Sequence, residues 1–185
     1  MFSYKSLKKQ VFNFENFKLV PIRLEDRYQI MNWRNEQIYH LRQNVSLSKE
    51  MQDLYFNNVI TKIFKESNPD QILFSMLENE NCIGYGGLVH INWVDRNSEI
   101  SFIMDTKLEC TRFNEIWGIY LKLIDEVAFQ TLSLHKIHTY AFDLRPHLYQ
   151  VFLDAGFIEE ARLKEHCVFE NEYKDVLIHS KFRDK

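Results

Sequence analysis

Between Asn97 and Phe157 the chain reads strand, turn, long helix, strand, short helix, and few topologies bury all of these at once. Ser98 to Asp105 is an apolar run of strand length. Ile116 to Phe129 places apolar residues at 116, 120, 123, 124 and 127, the spacing of one helix face. Lys136 to Phe142 returns as a strand. Pro146 suits the first position of a second helix with the stripe Leu148, Val151, Phe152 and Ala155, and Gly156 suits the residue just past its end. Parallel strands joined by a helix leave that helix's N-terminus at the strand ends, where its free N–H groups attract anions. A phosphate-binding loop is therefore expected where the long helix begins.

Upstream, Phe17 to Ile22 is a strand, and Val11 to Asn16 an added strand or turn before it. Glu25 to Trp33 reads as a first helix with Leu24, Tyr28 and Met31 on one face. Ser48 caps a second helix whose stripe is Met51, Leu54, Tyr55, Val59 and Ile63. Gln71 to Leu77 and Cys82 to Trp93 pair across the four polar residues Glu78 to Asn81, and two further strands lie around Lys164 to Phe169 and Lys174 to Phe182.

This order of elements, with Arg112, the helix end Asp125-Glu126-Val127-Ala128-Phe129 and the segment Leu153-Asp154-Ala155-Gly156-Phe157, resembles the GNAT family of acyl-CoA N-acetyltransferases. Leu19-Val20-Pro21-Ile22 before Glu25-Asp26 fits the same pattern, as does Cys82-Ile83-Gly84-Tyr85-Gly86-Gly87-Leu88. The resemblance runs from Phe17 to Phe182 and is strongest to ribosomal-protein N-terminal acetyltransferases and enzymes acting on nucleotide-linked amino sugars. Asn32-Trp33-Arg34-Asn35 is similar to the start of the amino-sugar enzymes in particular. It implies one α/β (α+β) domain over residues 1–185, with a mixed, mostly antiparallel sheet of about six or seven strands and about four helices. It also implies acetyl transfer from acetyl-CoA to a primary amine, that of an amino-sugar nucleotide first and a protein N-terminus second, and it allows a homodimer.

The resemblance assigns the pantetheine arm of the coenzyme to main-chain groups of Phe102, Ile103 and Met104. The family's diphosphate loop reads Gln or Arg, two residues, Gly, one residue, Gly or Ala, and Arg112-Phe113-Asn114-Glu115-Ile116-Trp117 stands in its place. Only Arg112 matches, and a shift by one residue brings in Gly118. Glycines let backbone approach phosphate without a side chain between them. Glu115 brings negative charge instead, and Trp117 brings bulk. Where the family has an Asn on the short helix this chain has Arg145, and where it has a Tyr that protonates the leaving thiolate this chain has Phe152, so Tyr149 is the substitute. Arg112, Arg145 and Lys107 are the cations available to the diphosphate. The rival reading is a binding module that kept the fold and lost the coenzyme.

Amine acetylation needs a neutral amine and a base within reach of it. Glu99, on the strand assigned to the arm, is the first candidate, against the plainer reading of a carboxylate paired with Arg96 or water. His90 is the second. Trp33, Arg34, Asn35, Arg42 and Gln43 cluster where the family forms its acceptor pocket, with guanidinium groups for phosphate and an indole for stacking. The plainer alternative is a core tryptophan with solvated arginines.

At 185 residues there is room for one well-buried domain. A net charge of −3 supplies no basic footprint for nucleic acid. No apolar run has the length of a membrane span, and residues 1–10 lack the apolar segment of a secretory signal, so a cytoplasmic location without a membrane partner is expected. Cys82, Cys110 and Cys167 form neither a disulfide framework nor a metal-ligand pattern, and no metal is expected.

Overall fold

The β-rich segments pair into one sheet of nine strands in the computed structural model, which describes residues 2–184. The strands are β1 (Phe12–Phe14), β2 (Phe17–Pro21), β3 (Ile72–Glu78), β4 (Asn81–Asn92), β5 (Asn97–Met104), β6 (Lys136–His138), β7 (Ala141–Phe142), β8 (Ile158–Phe169) and β9 (Glu172–Phe182). Their order is β1-β2-β3-β4-β5-β6-β9-β7, with β8 against β9. Only β5 and β6 pair parallel; the other pairs are antiparallel. The count exceeds the expected six or seven because β1 is a true edge strand and the expected strand from Lys136 to Phe142 is two pieces. Thr139 and Tyr140 interrupt it, and the Thr139 N–H donates to the His179 carbonyl at 2.8 Å, so this segment follows β9 and leaves β5.

Four helices flank the sheet: α1 (Arg27–Glu36), α2 (Lys49–Tyr55), α3 (Thr106–Asp125) and α4 (His147–Asp154). α1 starts later and ends later than the sequence suggests. The side chain of Arg23 holds the buried Asp26 through two 2.7 Å bonds, the turn Leu24–Asp26 is 3₁₀, and Leu24 is left exposed while Ile30, Met31 and Trp33 face inward. Ser48 caps α2, its Oγ accepting from the Met51 N–H at 3.3 Å. Beyond Tyr55 the helix widens over Phe56–Ile60 before the turn Thr61–Ile63. The wider spacing buries Gln52, Phe56, Ile60 and Ile63, so Met51 and Leu54 of the expected stripe lie outside.

The β3–β4 connection is shorter than its four polar residues suggest. Glu78 pairs with Asn81, and Asn79 and Glu80 both take positive φ (44° and 69°), the conformation a two-residue hairpin turn requires. At Gly86 a Cβ would lie 2.1 Å from the Ser101 carbonyl oxygen, so a side chain there would force β4 and β5 apart. Gly156 ends α4 at φ +82°, as its place in the sequence indicates.

α3 buries Phe113, Ile116, Trp117, Tyr120, Leu121, Leu123 and Ile124, each contributing about 1.5–3 kcal/mol by leaving water. It is kinked at Arg112 (φ −131°, ψ 19°) and continues as a wider turn over Glu126–Thr131. Among the described residues no helix is long and apolar enough to cross a membrane, and no cluster of three or more metal-ligating side chains occurs.

Candidate active site

β5 and β6 pair only over Asn97–Glu99 with Lys136–His138. Past the Glu99–His138 pair the two strands part, and on this edge β5 has no strand partner from Ile100 to Met104. The opening is a cavity of about 530 Å³ between Glu99, Ile100, Ser101 and Phe102 on one side and Thr139, Tyr140, Ala141 and Phe142 on the other. Leu148, Tyr149 and Phe152 of α4 and Trp117 of α3 form an apolar wall, and Arg34, Arg42, Arg145, His40 and His90 supply nitrogen groups.

Glu99 sits at the apex of the gap, 7% exposed. Its Oε1 accepts from Arg42 Nη2, and the Arg42 guanidinium also lies 4.6 Å over the Tyr140 ring. Its partner is thus Arg42, not Arg96 or bulk water. Burial pushes the Glu99 carboxyl above its ordinary range, and the neighbouring Arg42 and His90 oppose this only in part. His90 stands at an irregularity in the β4–β5 register with φ +52°, which turns its side chain to the cavity rim.

The structure disperses several residues that the sequence groups. Trp33, 4% exposed, is a core side chain and does not line the cavity. Asn35 holds the following loop, its Nδ2 donating to the Leu47 carbonyl (2.9 Å) and its Oδ1 accepting from the Leu47 N–H (2.8 Å). Both are corrections to the expected acceptor cluster. Consecutive helix residues point about 100° apart, and Arg34 alone of the three lines the cavity. Ile103 and Met104 are buried beyond the lining, and the Met104 carbonyl accepts from Gln37 Nε2 at 2.8 Å, so Phe102 alone of the expected arm contacts lines the gap.

The expected phosphate loop is absent. Helix runs on both sides of the kink at Arg112, so residues 113–117 are helical, and the Asp105 carboxylate caps the first segment, accepting from the Lys107 N–H at 3.0 Å. Arg112 is drawn to Glu78 (2.8 and 2.9 Å) and Glu115 (2.9 and 2.7 Å), which takes both the expected cation and the expected obstacle out of the groove. Phe113 and Ile116 are core residues. Asn114 and Gly118 face a separate groove between α3 and α4. The indole does what its size implies: Trp117 is 4% exposed, packs edge-on against Phe102, Tyr120 and Phe152, and narrows the gap without filling it.

Across the groove mouth Arg145 of the loop before α4 faces Glu109 of α3 at 3.5 Å. Burial lowers the Arg145 pKa and raises that of Glu109, each opposed by the other's charge. His40 lies nearby, and burial together with Arg145 pushes its pKa down to about 3. Tyr149 lines the cavity, yet its hydroxyl donates to Asp143 Oδ1 at 2.7 Å, and burial moves its pKa upward. It forms part of the wall while its proton is committed elsewhere. Residues 139–142, Glu109, Gln71 and Tyr85 carry no signal in the sequence of the cavity walls and pairings they form: a break in a strand of apolar character leaves no mark in composition.

The site fits one part of a coenzyme A thioester better than the other. An extended pantetheine arm matches a gap edged by unpartnered β5 backbone. The diphosphate meets no glycine between Gly87 and Gly118, and one half-buried guanidinium, Arg145, stands at that end.

A family model described as an acetyltransferase (GNAT) domain matches residues 19–178. A spermidine N(1)-acetyltransferase of Vibrio cholerae is 24% identical over 149 residues, 80% of this chain and 81% of that protein. Among solved structures, spermidine N-acetyltransferase from Vibrio cholerae in complex with CoA and spermine has a TM-score of 0.78 at 21% identity, covering 92% of this chain and 97% of the other. A dodecameric structure of spermidine N-acetyltransferase from Vibrio cholerae has a TM-score of 0.73 at 21% identity, covering 92% and 95%. At these identities the solved structures share the fold.

Proposed function

The chain belongs to the GNAT family of N-acetyltransferases, and on that basis we propose that it moves acetyl from acetyl-CoA to the primary amine of a small molecule at the gap between β5 and β6. The observation that carries this is the parting of those strands at Glu99, which joins an arm-sized opening to a buried carboxylate of raised pKa. Acetyl-CoA supplies the activated thioester carbonyl.

The protein supplies the rest. The free β5 edge over residues 100–102 offers main-chain N–H and C=O groups that align an extended chain as a strand would. Glu99 removes the proton of the attacking amine. Its raised pKa makes it a stronger base than an exposed carboxylate, and Arg42 holds it in position. Trp117, Leu148 and Phe152 exclude water from the wall of the gap, and Arg145 is the cation available at the coenzyme's far end. Tyr149 has no part in proton transfer here.

Two acceptor classes are in contention. A nucleotide-linked amino sugar fits the guanidinium groups of Arg34 and Arg42, and a polyamine is the acceptor named for the Vibrio relative. Labelled acetyl-CoA offered with amino-sugar nucleotides, spermidine, spermine and peptides with free N-termini tests the proposal. Transfer to one small-molecule class is the expected result. Transfer to none overturns acetyl transfer, and transfer to peptides alone overturns the small-molecule acceptor.

A further inference from the structure

Arg34 differs from every other shielded arginine of the chain. Arg23, Arg27, Arg112 and Arg145, also not fully exposed, each face a carboxylate: Asp26, Asp53, Glu78 with Glu115, and Glu109. Among the described residues Arg34 forms no ion pair. Its Nε donates to Gln43 Oε1 at 2.9 Å and its Nη1 to the Tyr85 hydroxyl at 2.6 Å, both neutral acceptors. Gln43 is in turn held by Asn35, its Nε2 donating to Oδ1 at 3.1 Å. A guanidinium has five N–H donors, and these contacts use two. A half-buried cation without a counter-charge is costly unless something supplies one. The neutral network aims the group without neutralising it.

Arg34 also stands where two cavities meet. Together with Gln71, Val89 and Ser101 it lines both the gap described above and a second cavity of about 380 Å³. Ile22, Ile30, Leu47, Met51, Phe56 and Leu73 make that second cavity largely apolar, and no carboxylate lines it. In the first cavity Glu99 is the one lining carboxylate among the described residues, and Arg42 already engages it.

We infer that the acceptor carries an anionic oxygen group, carboxylate or phosphate, gripped by Arg34, with its apolar body in the second cavity and its amine directed to Glu99. A polyamine places further positive charge where this wall is already cationic, whereas an anion completes the shell of Arg34 through the fork geometry guanidinium groups use for such partners. The inference rests on the acetyl transfer proposed above, and binding and transfer are measured separately so that each can fail alone.

Calorimetry of the full chain without coenzyme uses four probes: leucine for a carboxylate, an amino-sugar phosphate for a phosphate, leucinol as the analogue with a hydroxyl in place of the anion, and spermidine. At least one anionic amine binds more tightly than leucinol. Arg34→Gln weakens that ligand about 10- to 100-fold, the range of one charged hydrogen-bonding partner, and leaves leucinol nearly unchanged. Arg34→Lys keeps the charge and recovers part of the loss, and thermal melting of each variant verifies folding. Anionic amines binding no better than leucinol, or Arg34→Gln weakening both alike, overturns the inference. Tight spermidine binding that Arg34→Gln strengthens also overturns it while leaving acetyl transfer intact. Anionic binding without any transfer does the reverse.

Discussion

Where β5 and β6 part, the chain makes an opening by separating two strands. Within α3, past the kink at Arg112, it narrows the same groove with Trp117. The first end is built from backbone, the second from side chains. Main-chain N–H and C=O groups are the same whatever residue carries them, so a parted strand edge survives extensive sequence change. A diphosphate cradle depends on the absence of Cβ atoms and is lost with its glycines. In this chain the strand edge is open, while a buried indole stands where the resemblance expects a glycine or alanine and the Glu109–Arg145 pair lies across the groove mouth.

The largest expected effect tests the open end. Glu99→Gln lowers kcat about 100- to 10,000-fold, the usual range for a lost general base. In the unsubstituted protein activity climbs with pH through a midpoint above the ordinary carboxylate range, because burial raises this carboxyl. The same shift has a sign for stability. The folded protein holds the Glu99 proton more tightly than the unfolded chain, so that contribution is present at low pH and is lost as pH rises through the raised value. Glu99→Gln flattens both profiles in this window, and an unchanged rate profile removes Glu99 from the chemistry.

The narrowed end comes next. Trp117→Ala costs about 3–5 kcal/mol of unfolding free energy in denaturant titrations, since it deletes a side chain packed among Phe102, Tyr120 and Phe152. The same variant binds acetyl-CoA more tightly if it still folds at low temperature, because the gap widens. Glu109→Gln removes the carboxylate that competes for Arg145 and tightens coenzyme binding about fivefold, the size of one partly exposed ion pair. Weaker binding instead would show that Glu109 positions Arg145. The smallest effect is Gly118→Ala. Nothing lies within 4 Å of the added methyl, so the gain is helix propensity alone, about 0.5–1 kcal/mol in thermal melts.

Much of this was readable along the chain, and the failures share a cause. Positions 116, 120, 123 and 124 of α3 and 127 of the turn after it are all buried, Ser48 starts α2 and Gly156 ends α4 as expected, and Glu99 lines the cavity. Trp33, Asn35, the Met104 carbonyl and Arg112 are engaged elsewhere than the sequence groups them. Which side of a helix meets a cavity, and which carboxylate an arginine finds, depend on residues distant in sequence. Arg42 finds Glu99 across 57 positions, Arg34 finds Tyr85 across 51, and Arg112 finds Glu78 across 34.

The type and order of elements, the family and the lack of glycines between Arg112 and Trp117 follow from amino-acid order alone, because periodicity, caps and missing Cβ atoms are properties of neighbouring residues. The parting of β5 from β6, the burial that raises the Glu99 pKa and the lone cation at Arg34 exist only in three dimensions. Each arises from a balance of long-range pairing and desolvation, and no local stretch of chain encodes that balance.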